Sequence, residues 1–197
     1  MCFKMNSFLA RLAKKVDFAR KERDKRARRI YNYFGKSLHK GDKILEIGFG
    51  SGDIVNLLEK NGFDVQGIDI QDTSFFEHIK PLVYDGKTIP FKDKFFDVAM
   101  LVTVLHHTKD PEAILREAKR VSKRVIVVED LFINPVHKQM TFVMDSIMNL
   151  EFTGHPHSNK DDAAWRETFK DIGFKILNSS SSSFFQFFLA GTYILES

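Results

Sequence analysis

A glycine-rich stretch, EIGFGSG at residues 46–52, constrains the fold of this chain more than any other feature. It continues an apolar run, KILEIG at residues 43–48, which is typical of a short buried strand, and it precedes a helical pattern at residues 53–60. Glycines at positions 48, 50 and 52 allow a tight turn and leave room for a ligand to approach the main chain. This order of strand, turn and helix predicts a site for a nucleotide-like ligand.

The rest of the chain alternates strands and helices in the same way. Further strands are predicted at residues 64–70, 81–85, 95–101 and 124–129, and helices at residues 27–38, 111–121 and 161–172. Two last strands, 174–178 and 185–195, are expected to be joined across the serine run 179–183. Elements at this spacing predict one α/β domain, in which an open and largely parallel sheet has helices on both faces.

The spacing of the turn narrows the choice of ligand. Dinucleotide-binding turns have the pattern G-x-G-x-x-G, whereas this turn is G-x-G-x-G followed by Asp53. An aspartate at the start of a helix would repel a pyrophosphate placed there, which disfavours NAD. The turn also lacks the G-K-[ST] of a P-loop. A ligand with ribose, adenine and cationic groups but no phosphate fits acidic surroundings better, and S-adenosylmethionine is such a ligand.

Two aspartates end predicted strands near that turn. Asp69 lies 17 residues after Gly52, close to the spacing of about 20 at which an acidic residue receives ribose hydroxyls. Asp85 ends the next strand, within YDGKTIPF, where a carboxylate can accept a hydrogen bond from the exocyclic amine of adenine. Because ligands bind open sheets at the carboxyl ends of the strands, the two aspartates together favour a nucleoside-containing ligand.

Residues 43–123 resemble the core of class I S-adenosylmethionine-dependent methyltransferases, a group that includes ubiquinone and menaquinone biosynthesis enzymes and many small-molecule methyltransferases. The resemblance rests on five segments: ILEIGFGSG (44–52), GID (67–69), YDGKTIPFKDKFFD (84–97), VLHHTKDPEAILREAKRV (104–121) and VIVVED (125–130). It implies a Rossmann-like sheet of seven strands, mostly parallel, with an antiparallel last strand.

The resemblance also implies a role for each residue of a cofactor site. Glu46 would hold the methionine end of the cofactor, and Thr103 would close the site on the sulfonium side. The ribose and adenine would be held by two pairs, Asp69 with Ile70 and Asp85 with Gly86, and the turn would be lined by Gly48, Phe49, Gly50 and Gly52.

The methyl acceptor is less well defined. Enzymes that methylate the amino groups of nucleic-acid bases have [ND]-P-P-[YF] after the fourth strand, where this chain has VTVLHH at residues 102–107. That difference counts against methylation of adenine or cytosine amino groups. His106, beside His107, is a candidate general base because imidazole suits proton transfer near neutral pH. The alternative role of His106 is packing. A dedicated base is not required, because methyl transfer needs little beyond in-line positioning. No metal site is predicted, because His155 and His157 lack a firm third ligand.

Positive charge is concentrated at the start of the chain. Residues 1–43 contain 14 Lys and Arg against four acidic residues, a net charge of +10, whereas the remaining residues carry a net −6. Residues 1–40 are predicted to form a basic helical arm, whose apolar stripe Phe8, Leu9, Leu12 and Val16 is typical of an interfacial helix. The arm could act as a lid, contact an anionic membrane or remain a solvated helix. Nucleic acid is less favoured, because the arm offers no aromatic stacking platform.

These features divide the chain into the arm (1–40) and a methyltransferase domain (41–197), in which residues 131–160 are expected to cap the acceptor side. A cytoplasmic protein is expected, because the apolar stretches are shorter than the roughly 20 residues of a membrane helix and no signal-peptide pattern is seen. The main hypothesis is a methyltransferase for a small or lipid-like molecule. The alternatives are an RNA or protein methyltransferase recruited by the arm, and a non-catalytic cofactor-binding regulatory subunit. The oligomeric state is not indicated.

Overall fold

The computed structural model describes the backbone of residues 2–132, 160–184 and 188–197, and the side chains of residues 18–132, 160–183 and 189–197. Within these ranges the chain forms four α-helices and seven strands. In chain order they are α1 (Cys2–Phe34), β1 (Lys43–Ile47), α2 (Asp53–Lys60), β2 (Asp64–Asp69), β3 (Leu82–Val83), β4 (Phe96–Val102), α3 (Pro111–Val121), β5 (Ser122–Leu131), α4 (Asp162–Asp171), β6 (Lys175–Phe184) and β7 (Phe188–Glu196).

The seven strands form one sheet in the order β3-β2-β1-β4-β5-β7-β6. The five strands from β3 to β5 are parallel, and β7 runs antiparallel between β5 and β6. The predicted α/β class, with a mostly parallel sheet and an antiparallel last strand, is therefore confirmed. The strand order reverses at β1, which lies between β2 and β4. In open α/β sheets, ligands bind at such a reversal point, beyond the carboxyl ends of the strands.

Helices cover both faces of the sheet, as predicted. On one face, α3 and α4 pack against the sheet in a cluster that includes Leu115, Trp165 and Val127. On the other face, α1 and α2 contribute Phe34 and Leu58 to a second cluster. Strand β5 alternates between these clusters, with Val125 and Val127 on one side and Ile126 and Val128 on the other. A strand that is apolar on both faces is typical of the centre of a parallel sheet.

Helix α1 is one continuous helix of 33 residues, where the sequence suggested two. The connecting residues 17–26, DFARKERDKR, contain neither Gly nor Pro and consist largely of good helix formers, so nothing interrupts the helix. Its C-terminal part is anchored on the sheet, because Ala27, Ile30 and Phe34 are buried.

The serine run 179–183 is part of β6 and not a connection, which corrects the sequence-based expectation. Each of its residues pairs with β7, from Ser179 opposite Tyr193 to Ser183 opposite Leu189. β6 is the outer strand of the described sheet, and its serine side chains are exposed or half-buried. At such an edge, strand pairing overrides the weak strand propensity of serine, which is a context-dependent quantity.

The strand predicted at residues 81–85 is reduced to two residues, so Asp85 lies two positions beyond β3. Most of the predicted cap, residues 133–159, lies outside the described residues, as do His155 and His157. Among the described helices, none combines the length and the apolar character needed to cross a membrane.

Candidate cofactor site

The glycine-rich turn connects β1 to α2 and folds back against β2. The amides of Gly48 and Phe49 both donate to the carbonyl of Ile68, at 2.9 and 3.1 Å. Gly48, Gly50 and Gly52 have positive φ values of 81°, 52° and 80°, a region that L side chains rarely adopt. The backbone conformation of the turn is therefore sufficient by itself to require glycine at these three positions.

Close packing adds a second requirement at two of these glycines. A Cβ at Gly48 would lie 2.3 Å from Cγ2 of Val104, and a Cβ at Gly52 would lie 2.4 Å from Cζ of Phe49. The Phe49 side chain is accordingly buried beneath the turn, with Val55 and Ile79. At Gly50, by contrast, no atom of the described residues other than its chain neighbours lies within 4 Å of the Cβ position. The middle of the turn thus has open space over its backbone, into which a ligand can fit.

Asp69 is joined to the turn by its carboxylate. Oδ2 accepts a hydrogen bond from the amide of Gly50 at 2.8 Å, and Oδ1 accepts one from the amide of Ile70 at 2.7 Å. The hydroxyl of Thr73 donates to the carbonyl of Gly50 at 2.8 Å. The end of β2 and the turn are therefore one hydrogen-bonded unit, and the structure places Asp69 beside the turn as the spacing predicts.

Glu46 carries a buried carboxyl group within β1, next to the turn. Its side chain is 2% exposed, and among the described residues no hydrogen-bond partner reaches Oε2. The pKa of Glu46 is raised well above its usual range, first by burial and then by the negative charges of Asp69 and Asp53. A buried acid among other acids favours a ligand that brings positive charge.

Asp53, at the first position of α2, has a cationic partner from the arm. Its Oδ2 accepts a hydrogen bond from the Ser51 hydroxyl at 2.7 Å and lies 3.3 Å from Nε of Arg23. The Arg23 guanidinium also lies 4.1 Å from the ring centre of Phe75. Because Arg23 offsets the charge of Asp53, repulsion by this aspartate is a weaker argument against a pyrophosphate than the sequence suggested. The spacing of the turn and the buried carboxyl group of Glu46 remain as arguments against a pyrophosphate ligand.

Asp85 and Gly86 lie beside Ile70, beyond the carboxyl ends of β2 and β3. Oδ1 of Asp85 accepts hydrogen bonds from the amides of Lys87 and Thr88 at 2.8 and 2.9 Å, which lowers the pKa of this carboxyl group. Gly86 has a φ of 73°, and a Cβ there would lie 2.9 Å from Cγ2 of Ile70. The Ile70 side chain is 63% exposed. The two pairs that were expected to hold ribose and adenine are thus neighbours in the fold.

The segment after β4 approaches the turn from the other side. Thr103 has a positive φ of 52°, and its amide donates to the carbonyl of Val128 at 2.7 Å. Val104, the next residue, provides the methyl groups that face Gly48. His106 is 2% exposed, and its Nδ1 lies 2.5 Å from Oε2 of Glu129. The segment that contains Thr103 and Val104 therefore packs against Gly48, while the imidazole of His106 is buried against a glutamate.

Glu129 is a residue of this region that the sequence reasoning did not single out. It is 0% exposed, near the end of β5, and its carboxylate contacts three residues of the segment after β4. The signal available in the sequence was one acidic residue directly after the apolar run VIVV at 125–128. No cluster of three His, Cys, Asp or Glu able to hold a metal ion is found in the part of the chain that the structure describes.

The residues present fit S-adenosylmethionine. The open space over Gly50 can admit a ligand close to the backbone, the carboxylates of Asp69 and Asp85 can accept hydrogen bonds from a nucleoside, and the buried Oε2 of Glu46 can accept one from an ammonium group. The carboxyl groups of Glu46 and Asp69 beside the turn suit a cationic ligand better than a phosphorylated one.

Comparison with known proteins identifies a family and a sequence relative. Residues 19–179 match the family described as a methyltransferase domain. A demethylmenaquinone methyltransferase of Tropheryma whipplei is 30% identical over 101 residues, which are 45% of this chain and 42% of that enzyme. The chain therefore aligns with less than half of the length of this relative.

Solved structures share the fold at low sequence identity. A chain from the complex between the Haloferax volcanii Trm112 methyltransferase activator and a candidate methyltransferase superposes with a TM-score of 0.65 at 18% identity, covering 90% of this chain and 94% of that one. Magnesium protoporphyrin IX methyltransferase from Synechocystis, solved with bound SAH, superposes with a TM-score of 0.61 at 18% identity, covering 88% of this chain and 83% of that one.

Proposed function

Because this chain belongs to the methyltransferase-domain family, and is thus an S-adenosylmethionine-dependent methyltransferase, we propose that it methylates a small or lipid-like molecule. The observation that carries the cofactor assignment is the buried Oε2 of Glu46. This atom lacks a hydrogen-bond partner among the described residues and adjoins the glycine-rich turn. Support for the acceptor class comes from a sequence relative that is named for demethylmenaquinone and from a protein of the same fold that is named for magnesium protoporphyrin IX.

Each site residue is assigned one contact with the cofactor. Glu46 accepts a hydrogen bond from the ammonium group of the methionine end. Asp69 accepts the ribose hydroxyls with lone pairs that its two backbone contacts leave available. Asp85 accepts the exocyclic amine of adenine through Oδ2, since both of its turn contacts use Oδ1. Adenine would lie against Ile70 and Gly86, which pack against each other, and the cofactor would follow the backbone of Gly48, Phe49, Gly50 and Gly52.

Methyl transfer at this site depends mainly on positioning. The sulfonium of S-adenosylmethionine supplies a methyl group that is already activated towards attack. The chain therefore has to hold the acceptor in line and exclude water, and Thr103 lies on the side where the acceptor would approach. His106 is retained as a candidate base. A base must come within roughly 3 Å of the proton that it removes. The imidazole of His106 is only 2% exposed, and this burial counts against the role of a base.

The basic arm supports delivery of the acceptor from an anionic membrane. In the part of α1 whose side chains are described, Arg20, Lys21, Lys25, Arg26 and Arg28 are exposed. Arg23 contacts Asp53 at the carboxyl end of the sheet, so the residues that precede it extend past the edge where the cofactor turn lies. At about 1.5 Å per residue, this extension is roughly 30 Å long. A membrane bound to it would face the acceptor side of the site.

The acceptor class can be tested by following the methyl group. The full chain is incubated with methyl-tritiated S-adenosylmethionine and, in separate reactions, with a chloroform-soluble lipid extract, total RNA or soluble protein from cells. We expect label in the lipid extract, and much less of it at the same cofactor concentration when Asp69→Ala replaces the wild type. Label in RNA or protein instead would overturn the acceptor class while leaving the cofactor assignment intact.

A further inference from the structure

Glu129 is a buried acidic residue whose three side-chain hydrogen bonds within the described residues all go to one short segment. Its Oε1 accepts hydrogen bonds from the amides of Val104 at 2.8 Å and Leu105 at 2.6 Å, while Oε2 lies 2.5 Å from Nδ1 of His106. A carboxylate can only accept, so Nδ1 of His106 carries the proton in this contact. Burying a carboxylate is costly unless it is hydrogen-bonded, so these contacts define both its position and that of the segment.

The segment that Glu129 contacts packs against the glycine-rich turn. Val104 places its methyl groups where a Cβ of Gly48 would be, at 2.3 Å from Cγ2. Thr103, one residue earlier, has a φ of 52°, a left-handed conformation that is unfavourable for a non-glycine residue. Such a conformation persists only where neighbouring contacts hold it. Here the amides of Thr103, Val104 and Leu105 are bound by Val128 and Glu129 of β5.

His106 continues the same connection. Its ring lies between Glu129 and the ring of His107, whose centroid is 4.0 Å away, and the imidazole is 2% exposed. An imidazole enclosed in this way is held in one orientation. His106 belongs to the 3-10 turn Leu105–His107, and its contact with Glu129 joins this turn to β5. Movement of the turn away from β5 would therefore break a buried charge-assisted hydrogen bond.

We propose that Glu129 is a positioning residue of the cofactor site, which sets the place of Val104 against the glycine-rich turn through its backbone contacts and through His106. This inference rests on the proposed function, since the turn has to bind S-adenosylmethionine. Because Glu129 is 0% exposed, its effect would reach the ligand through Val104 and Gly48.

The test compares two changes in the same strand. Glu129→Gln keeps the shape of the side chain and one carbonyl oxygen for the two amides, but removes the charge. Val127→Ala makes a cavity two residues away in the core and leaves all three contacts in place. We expect Glu129→Gln to raise the Kd for S-adenosylmethionine about threefold to tenfold by calorimetry, because neutral hydrogen bonds are roughly half as strong as charge-assisted ones. Val127→Ala should change the Kd less than twofold, although it lowers the stability.

A spectroscopic measurement gives an independent readout. In the full chain, the ¹⁵N chemical shifts of the His106 ring should show the proton on Nδ1, and Glu129→Gln, which presents an amide at that position, should move it to Nε2. An unchanged Kd in Glu129→Gln, an equal loss of affinity in Val127→Ala, or a proton on Nε2 in the wild type would overturn this inference alone. A wild type that does not bind S-adenosylmethionine would overturn the proposed function as well.

Discussion

The backbone amide of Gly50 donates to Oδ2 of Asp69 at 2.8 Å, which joins the middle of the glycine-rich turn to the end of the neighbouring strand β2. The residue that is expected to hold ribose is therefore also a residue that shapes the turn. A second contact of the same carboxylate, from the amide of Ile70 at 2.7 Å, fixes the start of the loop on the adenine side. Three parts of the cofactor site thus depend on one side chain.

Asp69→Ala should weaken binding of S-adenosylmethionine by about ten- to a hundredfold. Each charge-assisted hydrogen bond is worth roughly 1.5 to 3 kcal/mol, and the variant loses the ribose contacts together with the support of Gly50. Calorimetry measures the loss. Asp64→Ala, at the exposed start of the same strand, is the matched control and should bind like the wild type. An unchanged dissociation constant in Asp69→Ala would move the ribose contact elsewhere.

Gly48→Ala should destabilise the protein and abolish cofactor binding, because the added methyl group meets Val104 at 2.3 Å in a conformation with a φ of 81°. Gly62→Ala separates the two causes, since Gly62 has a φ of 83° and, in the part of the chain that the structure describes, only its chain neighbours come within 4 Å of its Cβ position. We expect Gly62→Ala to cost about 1 to 2 kcal/mol and Gly48→Ala about 1 to 3 kcal/mol more, measured by urea denaturation. The double variant Gly48→Ala/Val104→Ala should recover part of that difference. Equal losses in the two glycine variants would contradict the packing argument.

Glu46 should make the ligand-free protein less stable as the pH rises. Its pKa in the folded state is raised above the unfolded value of about 4.3, so its contribution is fully present below that value and is lost as the pH rises through the folded pKa. The free energy of unfolding should fall by up to about 1.4 kcal/mol per pH unit within that window. Glu46→Gln should remove this fall, while Glu59→Gln, an exposed change in α2, should keep it. Urea denaturation over a pH series decides, and identical profiles for the wild type and Glu46→Gln would refute the prediction.

The central part of the fold could be predicted because its signals are local. The strand at residues 43–47, its glycine turn and the helix from Asp53 follow from three apolar residues, Ile44, Leu45 and Ile47, and three glycines in one short segment. The helix at residues 111–121 was equally clear, with Asp110 accepting a hydrogen bond from the amide of Ala113 and Pro111 at the first helical position.

Other features depended on contacts that are distant along the chain. The role of Glu129 requires residues 23 to 25 positions away, so no local pattern reveals it. The serine run became a strand because β7 pairs with it, a long-range effect that propensity does not include. Arg23 looked like one more charge of the basic arm, and only the fold brings it to Asp53.

The arm should bind anionic vesicles in a salt-dependent way. Arg20, Arg26 and Arg28 are exposed on α1, and each basic residue near an anionic surface contributes about 1 kcal/mol, so changing all three to Gln should weaken vesicle binding about a hundredfold. Lys60, Lys109 and Lys170, exposed on the body of the protein, serve as the control for net charge when changed to Gln. Fluorescence titration with phosphatidylserine-containing vesicles, neutral vesicles and RNA measures the affinities. Tight binding to RNA without binding to vesicles would favour an RNA acceptor instead.

Calorimetric titration of the full chain with S-adenosylmethionine, S-adenosylhomocysteine and NAD tests the central claim most directly. We expect saturable binding of the first two ligands, none of NAD, and weaker binding of S-adenosylmethionine by Glu46→Gln, since the buried Oε2 would no longer carry the charge that receives the ammonium group. Saturable binding of NAD at micromolar concentration, with none of S-adenosylmethionine, would contradict the account of this site.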